Sequence, residues 1–232
     1  MITPRAINET CPWSGEPVST DSLIEYRGQT VGFCNPGCRD KFANATRYFD
    51  ALIAPVPEQN PWRTLATYNR WYNRCLFDAL ADVPSDVIWR DGGAFFGSVG
   101  ATLNHIMVWD LTWLGRIQND CPPFHSTAVL GDYPTPTSHT DILHDRLPAL
   151  ASARRSLDDV LVAFVAEMTP RHVNRVITYR TQDGTTYRKT LGGLLQHMFN
   201  HQTHHRGQVT ALLHQHGVDY GVTDLLATLP DV

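Results

Sequence analysis

Several features that mark common classes of protein are missing from this sequence of 232 residues. No stretch approaches the roughly 18 uncharged apolar residues that cross a bilayer, and residues 1–10 lack the apolar core of a signal peptide. The formal net charge is -4, which provides no general attraction for nucleic acid phosphates or anionic lipids. We therefore expect a cytoplasmic protein that binds neither nucleic acid nor a membrane.

Motifs of nucleotide and serine chemistry are missing as well. The chain has no P-loop, no glycine-rich dinucleotide fingerprint and no serine-centred nucleophile elbow, so nucleotide cofactors are not expected. Its five cysteines are an odd number, and without an export signal they favour metal binding over a disulfide framework. Hydrophobic residues make up 42%, which is enough for a well-packed core.

The pattern along the chain predicts two domains. Residues 1–53 are turn-rich and form a small N-terminal unit, residues 54–61 form a proline-rich linker, and residues 62–232 form the larger unit. In the N-terminal unit, alternation from Leu23 to Phe33 predicts a hairpin around Arg27-Gly28. A short helix is expected to follow, from about residue 39 to residue 51.

The larger unit contains four segments with helical periodicity, whose lengths suit a four-helix bundle. They run over about Pro61–Ala81, Ala94–Asn119, Asp141–Glu167 and Thr190–His216. The proline-rich stretch from Asp120 to Thr140 is too long for a simple turn and predicts a crossover loop over one end of the bundle. Asp183-Gly184 predicts a two-stranded hairpin between the third and fourth helices.

The fourth helical segment carries four histidines within nine residues. On a helical wheel, His205 lies about 40° from the centre of the apolar stripe and His201 about 80° from it. His197 and His204 lie about 120° and 140° away, so we expect them in solvent or behind the ligands. The inward pair His201 and His205 has the i, i+4 spacing of helical zinc sites.

A third ligand is expected from His105, the only histidine of the second segment. An isolated histidine can equally be a core residue satisfied by a hydrogen bond, and that alternative stays open. Three inward imidazoles without a shared cation would leave buried nitrogens in need of partners, which favours metal. Asp110, His204 and Gln208 are candidates to hold an imidazole N–H or a bound water behind the ligands, although Asp110 and Gln208 can equally be caps or surface polar residues. The six other histidines are expected to face solvent: His125, His139, His144, His172, His214 and His216.

Five motifs give the larger unit a family resemblance. They are Tyr68–Trp71, Phe95–Ser98, Thr102–His105, Trp113–Arg116 and His197–Gln208. Over about residues 60–220 they resemble the DinB/YfiT-like metalloenzymes. The resemblance implies an up-down-down-up four-helix bundle, often homodimeric, with nickel or zinc on three histidines that match His105, His201 and His205. Characterised relatives include bacillithiol-dependent thiol S-transferases and a mycothiol-dependent maleylpyruvate isomerase, which implies a small-molecule substrate and a low-molecular-weight thiol as a candidate.

Cys11, Cys34 and Cys38 form a second candidate metal site, with the spacing C-x22-C-x3-C. Thiolates at this spacing converge when a hairpin brings the first beside the other two, and soft sulfur ligands select zinc or copper(I). The pattern resembles the TRASH and YHS-like treble-clef modules over residues 8–50. That resemblance implies zinc in the N-terminal unit and a connection with heavy-metal handling.

The N-terminal unit departs from that pattern because it has no fourth cysteine and no histidine. Glu16, Glu25 or Asp40 would complete a structural zinc site, or a water or a partner's ligand would leave the site open for metal transfer. Buried cysteines without metal are the remaining alternative. Elsewhere, Cys75 is expected to be an inert core thiol and Cys121 a loop residue.

Two functions are compatible with these patterns. The first is a metal-dependent enzyme that acts on a small molecule by hydrolysis or thiol transfer. Its catalytic group would be a metal-bound water or thiol, because no carboxylate accompanies the helical histidines as a general base. The second is a non-catalytic protein that handles or senses metal. An open coordination position and a crossover loop over residues 120–140 that can form a lid favour the enzyme.

Overall fold

A computed structural model of the chain describes residues 5–52, 60–121, 124–181 and 183–231. The chain forms two compact units, Met1–Gln59 and Asn60–Val232. The expected linker, residues 54–61, lies outside the described residues except for Asn60 and Pro61, which begin a helix. Within the described part of the chain, no helix combines the length and the apolar character that a membrane crossing requires.

The N-terminal unit contains the expected hairpin and helix. Strands β1 (Leu23–Tyr26) and β2 (Gln29–Gly32) pair antiparallel, and helix α1 (Pro36–Leu52) follows them. The turn residues Arg27 and Gly28 both have positive φ, at 49° and 77°, as a type I′ turn requires. This turn matches the right-handed twist of the strands, so the local sequence is sufficient to set the register.

Helix α1 begins three residues earlier than expected because of a cap. The side chain of Asn35 accepts a hydrogen bond from the backbone N–H of Cys38 at 3.0 Å, and Pro36 occupies the first helical position. The fully buried ring of Phe33 packs on Phe42 of the helix. The cap therefore places Cys38 in the first turn of α1, four residues after Cys34.

The larger unit is mainly helical, with one further hairpin. In chain order its elements are α2 (Pro61–Leu80), α3 (Ser85–Trp89), α4 (Val99–Asp120), α5 (Leu147–Glu167), α6 (Pro170–Val173), β3 (Val176–Arg180), β4 (Thr186–Thr190) and α7 (Leu191–Gln215). Helix α2 packs mainly on α5, and α4 mainly on α7. Contacts of α2 with α7 and of α4 with α5 join the two pairs around one apolar core. All four expected long helices and the hairpin are confirmed.

Two of these helices begin later than the periodicity predicts. Helix α4 begins at Val99 because Ser98 caps it, its hydroxyl accepting from the N–H of Ala101 at 3.1 Å. Helix α5 begins at Leu147, since the carboxylate of Asp141 accepts hydrogen bonds from the preceding loop. At both positions, hydrogen bonds between a short polar side chain and the backbone determine where the helix begins.

The crossover between α4 and α5 is partly ordered by hydrogen bonds. It contains a 3-10 helix over His125–Asp132, which packs against α4 and α5. The carboxylate of Glu167 accepts from the backbone N–H groups of His125 and Ser126, each at 2.8 Å. This end of the crossover is therefore anchored to the C-terminus of α5.

The two remaining cysteines differ in burial. Cys75, expected as a core thiol, is only partly buried on α2. Cys121 directly follows helix α4 as its C-cap, outside the helix as expected, and its thiol is buried in the apolar core. Helix α4 extends one residue beyond the prediction, to Asp120. All five cysteines are free thiols.

Candidate metal centre

Three histidines meet between helices α4 and α7. His105 comes from α4, and His201 and His205 come from successive turns of α7. One ligand nitrogen from each lies within 4.8 Å of the others. His105 and His205 are buried and His201 is partly buried. The inward direction that the helical wheel predicts for the pair on α7 is confirmed.

A backbone carbonyl orients His105 from behind. Its Nδ1 lies 2.7 Å from the carbonyl oxygen of His139 in the crossover. Because a carbonyl only accepts, Nδ1 must carry the proton and Nε2 must present a lone pair. The hydrogen bond to this carbonyl gives Nδ1 of His105 a partner, as in a core histidine. It leaves Nε2 directed at His201.

A side-chain amide does the same for His205. Its Nδ1 lies 2.8 Å from Oε1 of Gln208, so the imidazole N–H donates to the amide oxygen. The amide nitrogen of Gln208 in turn lies 3.3 Å from Nε2 of His204. Gln208 therefore contacts a candidate ligand directly, and His204 contacts Gln208, in the positions expected of groups that support a metal ligand.

All three imidazoles favour the neutral form. Burial lowers the pKa of His105 to about 4, and repulsion from His205 adds to this effect. Burial lowers the pKa of His201 to about 3, with further repulsion from His205 and His105. The pKa of His205 is also lowered, again mainly by burial. A metal ion requires unprotonated imidazole, and that is the form this environment stabilises.

The nitrogen separations fit a shared cation. Two nitrogens bound to one tetrahedral zinc at 2.0–2.1 Å lie about 3.3–3.4 Å apart. The Nε2 atoms of His105 and His201 are 3.2 Å apart, close to this value. A direct hydrogen bond between those two atoms would account for that pair alone and would leave His205 outside it. The residues present therefore suit a divalent metal.

Aromatic rings enclose the three histidines. Phe96 stacks on His105, with ring centroids 3.7 Å apart and planes 26° apart, and meets His205 edge-on. Gly97 adopts φ 78°, which turns the chain sharply between Phe96 and the cap of α4. Trp109 covers another side, 6.3 Å from His105 and 6.2 Å from His201. Neither ring was expected as a site residue, although the adjacent aromatics at 95–96 before a helix start were a usable signal.

Asp110 is placed differently from the expectation. Its carboxylate accepts hydrogen bonds from Arg154 and from the amide of Gln202, the latter at 2.7 Å, and it makes no contact with an imidazole among the described residues. The reason is helical position, since residue 110 lies five residues after His105 and points into the core beside α5. Asp110 thus supports the helices that carry the ligands rather than a ligand itself.

A buried polar network surrounds Asp110. Arg154 also pairs with Asp158 at 2.9 Å, and Asp158 accepts from the side-chain amides of Asn69 and Asn73. Burial raises the pKa of Asp158 to about 6, and Arg154 opposes that shift. Arg206, one residue after His205, donates to Asn69. The motifs of α2 and α7 therefore meet in a network that ties all four long helices together.

The histidines outside the triad only partly follow expectation. His197 and His204 are exposed, and His197 packs its ring on Trp113. His144 and His172, expected in solvent, are partly buried. The backbone of His144 exchanges two hydrogen bonds with the side chain of Asn104, and His172 forms a capping box at the start of α6. Both corrections arise from loops that fold back onto helices.

The N-terminal unit brings its three cysteines together. Their sulfurs lie within 4.8 Å of one another, and those of Cys34 and Cys38 are 3.8 Å apart. The hydroxyl of Ser14 and the amide of Asn35 donate to the Cys34 sulfur at 3.2 Å and 3.1 Å. The hairpin and the cap of α1 thus produce the convergence that the spacing predicts.

The environment shifts the pKa values of two of these thiols in opposite directions. Burial opposes ionisation of Cys11, but the backbone N–H groups of Cys34 and Trp13 lower its pKa to about 6. Burial raises the pKa of Cys38, and the sulfurs of its two cysteine neighbours raise it further. A thiolate with two further sulfurs close by is an arrangement that can bind a soft metal cation.

The expected carboxylate ligands do not join the cysteines. Glu25 accepts from the Thr30 hydroxyl, and Asp40 pairs with Arg39 in solvent. Within the described residues the convergent group consists of the three cysteines, and Glu16, Glu25 and Asp40 all lie outside it. Two of the alternatives are left, namely a fourth ligand from water or a partner, and three cysteines without a metal.

Comparison with known proteins identifies relatives of the larger unit. Residues 57–230 match the model of the DinB family, a range that contains all three histidines of the centre. The Protein DinB of Bacillus subtilis (strain 168) is 24% identical over 164 residues, which cover 69% of this chain and 88% of that protein. No solved structure gives a significant match.

Proposed function

The chain belongs to the DinB family, and from that premise we propose that it is a metal-dependent enzyme whose centre holds zinc or nickel on His105, His201 and His205. The observation that supports this most is the convergence of three imidazoles, two of which have their Nδ1 protons held by oxygen acceptors. The proposal includes the up-down-down-up order of the four long helices and a homodimer.

The proposed reaction is hydrolysis or thiol transfer on a small molecule. A divalent cation on neutral ligands retains its charge, and so lowers the pKa of a bound water or thiol. The protein's own groups keep the site organised for this chemistry. The His139 carbonyl and Gln208 hold the imidazoles, while Phe96 and Trp109 restrict the access of water from two sides.

The same residues limit the mechanism. Within the described part of the chain, no carboxylate belongs to the convergent histidine group. A general base of the Glu or Asp type is therefore not part of the proposal, and the nucleophile must be acidic enough to ionise on binding. A low-molecular-weight thiol meets that requirement more readily than water, since its pKa is already near 8.5.

A second function rests on the N-terminal unit. We propose that Cys11, Cys34 and Cys38 bind zinc in a treble-clef-like module and leave one coordination position for water or a partner's ligand. The low pKa of Cys11 beside two further sulfurs supports this assignment. If this were the chain's only occupied site, the protein would handle or sense metal rather than catalyse a reaction.

Elemental analysis tests both proposals. The protein is purified without added metal or a metal-binding tag, and wild type is compared with His201→Ala/His205→Ala and with Cys34→Ser/Cys38→Ser. The matched control is His214→Ala/His216→Ala, which removes two exposed histidines at the end of α7. We expect each site variant to lose a distinct metal population and the control to lose none.

Each alternative outcome has a definite meaning. If only the cysteine variant loses metal, the enzyme proposal fails and the metal-handling function replaces it. If neither variant loses metal, both sites are wrong. If both lose metal as expected, thiol-transfer and hydrolytic substrates are screened with the metal-loaded protein, and loss of turnover in the histidine variant alone assigns the chemistry to α4 and α7.

A further inference from the structure

A cavity of about 330 Å³ adjoins the histidine centre. We call it the Arg116 cavity, and define it by Trp109, Thr112 and Arg116 of α4, residues 136–139 of the crossover, Thr181 and Asp183. It shares two walls with the centre. Trp109 covers two of the histidines, and residue 139 supplies the carbonyl that holds His105. A small molecule bound in this cavity would therefore lie beside the proposed metal.

Arg116 is the unusual group in this wall. Its guanidinium lies over three aromatic rings, 4.6 Å from Trp113, 4.8 Å from Tyr179 and 5.7 Å from Trp109. It is half-buried and has no ion pair or hydrogen bond with a carboxylate among the described residues. In contrast, the buried Arg154 has two carboxylate partners. Aromatic faces orient Arg116 but do not neutralise its charge.

The other charged group of the wall does not neutralise Arg116 either. The Asp183 carboxylate accepts from the hydroxyl of Thr181 and from the N–H of Thr185, so it is engaged within its own turn. It is exposed at the tip of the hairpin. Among the residues that the structure describes, the cavity therefore has a cation without a carboxylate partner on its helical wall and a solvated carboxylate at its edge. A guanidinium with free donors binds carboxylate or phosphate oxygens in preference to neutral groups.

Position along α4 relates Arg116 to the ligands. Trp109 lies four residues after His105 and seven before Arg116, so the three share one face of the helix. Through the Trp109 ring, the guanidinium and the His105 imidazole lie within about 12 Å of one another. One small molecule can reach both groups.

We propose that Arg116 binds the anionic end of the substrate, so that the enzyme acts on small organic anions. The carboxylate lies at the guanidinium, an apolar part lies against Trp109, and the reactive end lies at the histidines. The assignment of the reactive end rests on the proposed function. The preference of the Arg116 cavity for an anion does not require the metal, and this allows the two proposals to be tested separately.

The first test uses metal-free protein. Isothermal titration of the His201→Ala/His205→Ala variant compares 3-phenylpropionate with its neutral amide, 3-phenylpropanamide. A charge-assisted hydrogen bond predicts that the carboxylate binds about 10- to 100-fold more tightly. Adding Arg116→Met should make the two affinities nearly equal. Adding Arg188→Gln, which removes the same charge from the exposed face of β4, should preserve the difference.

The second test uses zinc-loaded wild type. Mercaptoalkanoic acids of three to five carbons are compared with their amides, which carry the same thiol without the carboxylate. The acid of the best length should bind more tightly than its amide, and the length optimum should disappear in Arg116→Met. Arg116→Lys keeps the charge and loses the planar stacking, so it should keep part of the preference and serves if Arg116→Met does not fold.

Several results would overturn this inference. Equal affinity of wild type for the acids and the amides would refute it, and so would an anion preference that survives Arg116→Met. If no thiol binds the zinc-loaded protein but 3-phenylpropionate still depends on Arg116, the metal proposal fails and the anion site stands. If thiols bind the zinc-loaded protein but neither pair of probes shows tighter binding of the acid than of the amide, the anion site is refuted and the metal proposal stands.

Discussion

Replacing Gln208 by Leu should weaken zinc binding at the histidine centre without removing a ligand. Gln208 accepts the Nδ1–H of His205 at 2.8 Å, and this bond determines both the ring orientation and the tautomer that leaves Nε2 free. Loss of such a supporting bond typically costs 10- to 100-fold in metal affinity, or about 1.4–2.7 kcal/mol. Leucine removes the acceptor and leaves an apolar side chain, and the comparison with Gln208→Glu separates the loss of the hydrogen bond from the change of shape.

Related substitutions should form a graded series. Gln208→Glu keeps an acceptor and adds a negative charge, so it should bind zinc at least as tightly as wild type. His204→Ala removes only the 3.3 Å contact that orients the Gln208 amide, and should cost less than Gln208→Leu. Gln215→Leu, at the exposed end of α7, is the matched control and should have no effect.

The assay is competition for zinc with a chelating indicator of known affinity, at fixed pH and with unfolding monitored in parallel. The reasoning is refuted if Gln208→Leu binds zinc as wild type does, because Gln208 would then not support a ligand. It is also refuted if Gln208→Glu is as weak as Gln208→Leu, since any substitution would then be disruptive. An equal loss in Gln215→Leu would point to a general effect on α7.

The remaining predictions concern stability and are measured by urea unfolding of metal-free protein. Folding lowers the pKa of His105 to about 4 and that of His201 to about 3, whereas a histidine in the unfolded chain has a pKa near 6.5. Below pH 6.5 the unfolded chain therefore binds more protons than the folded one. The free energy of unfolding should therefore fall as pH drops from about 6.5 towards 4, and it should fall less in His201→Gln. If its slope against pH were the same in His201→Gln as in wild type, the lowered pKa of His201 would be contradicted. Arg154→Met should cost about 3–5 kcal/mol because it leaves the carboxylates of the network unpaired, whereas Arg155→Met on the exposed side should cost little. Gly207→Ala should stabilise by about 0.5–1 kcal/mol, since it is helical and a Cβ there meets no atom within 4 Å; destabilisation would reveal a close neighbour at that position.

Local patterns were sufficient for much of the fold and for part of each site. The Arg27-Gly28 turn, the four long helices and the inward face of α7 follow from spacing over a few residues, which is why they could be predicted. The starts of α4 and α5 were less predictable, because caps and loop hydrogen bonds decide them. The ion pair of Asp110 and the burial of Cys121 are not encoded locally, because each depends on which helix lies opposite.

Local sequence patterns are sufficient to choose the candidate ligands. The period of α7 directs His201 and His205 to one side, and the cysteine spacing around a hairpin draws three sulfurs together. How those ligands are held, and what lies beside them, depends on packing between distant elements. The carbonyl of His139, the ring of Phe96 and the guanidinium of Arg116 come from different parts of the chain, and no local periodicity encodes their approach. Helical period acts over a few residues, whereas the environment of a ligand is created by packing between elements.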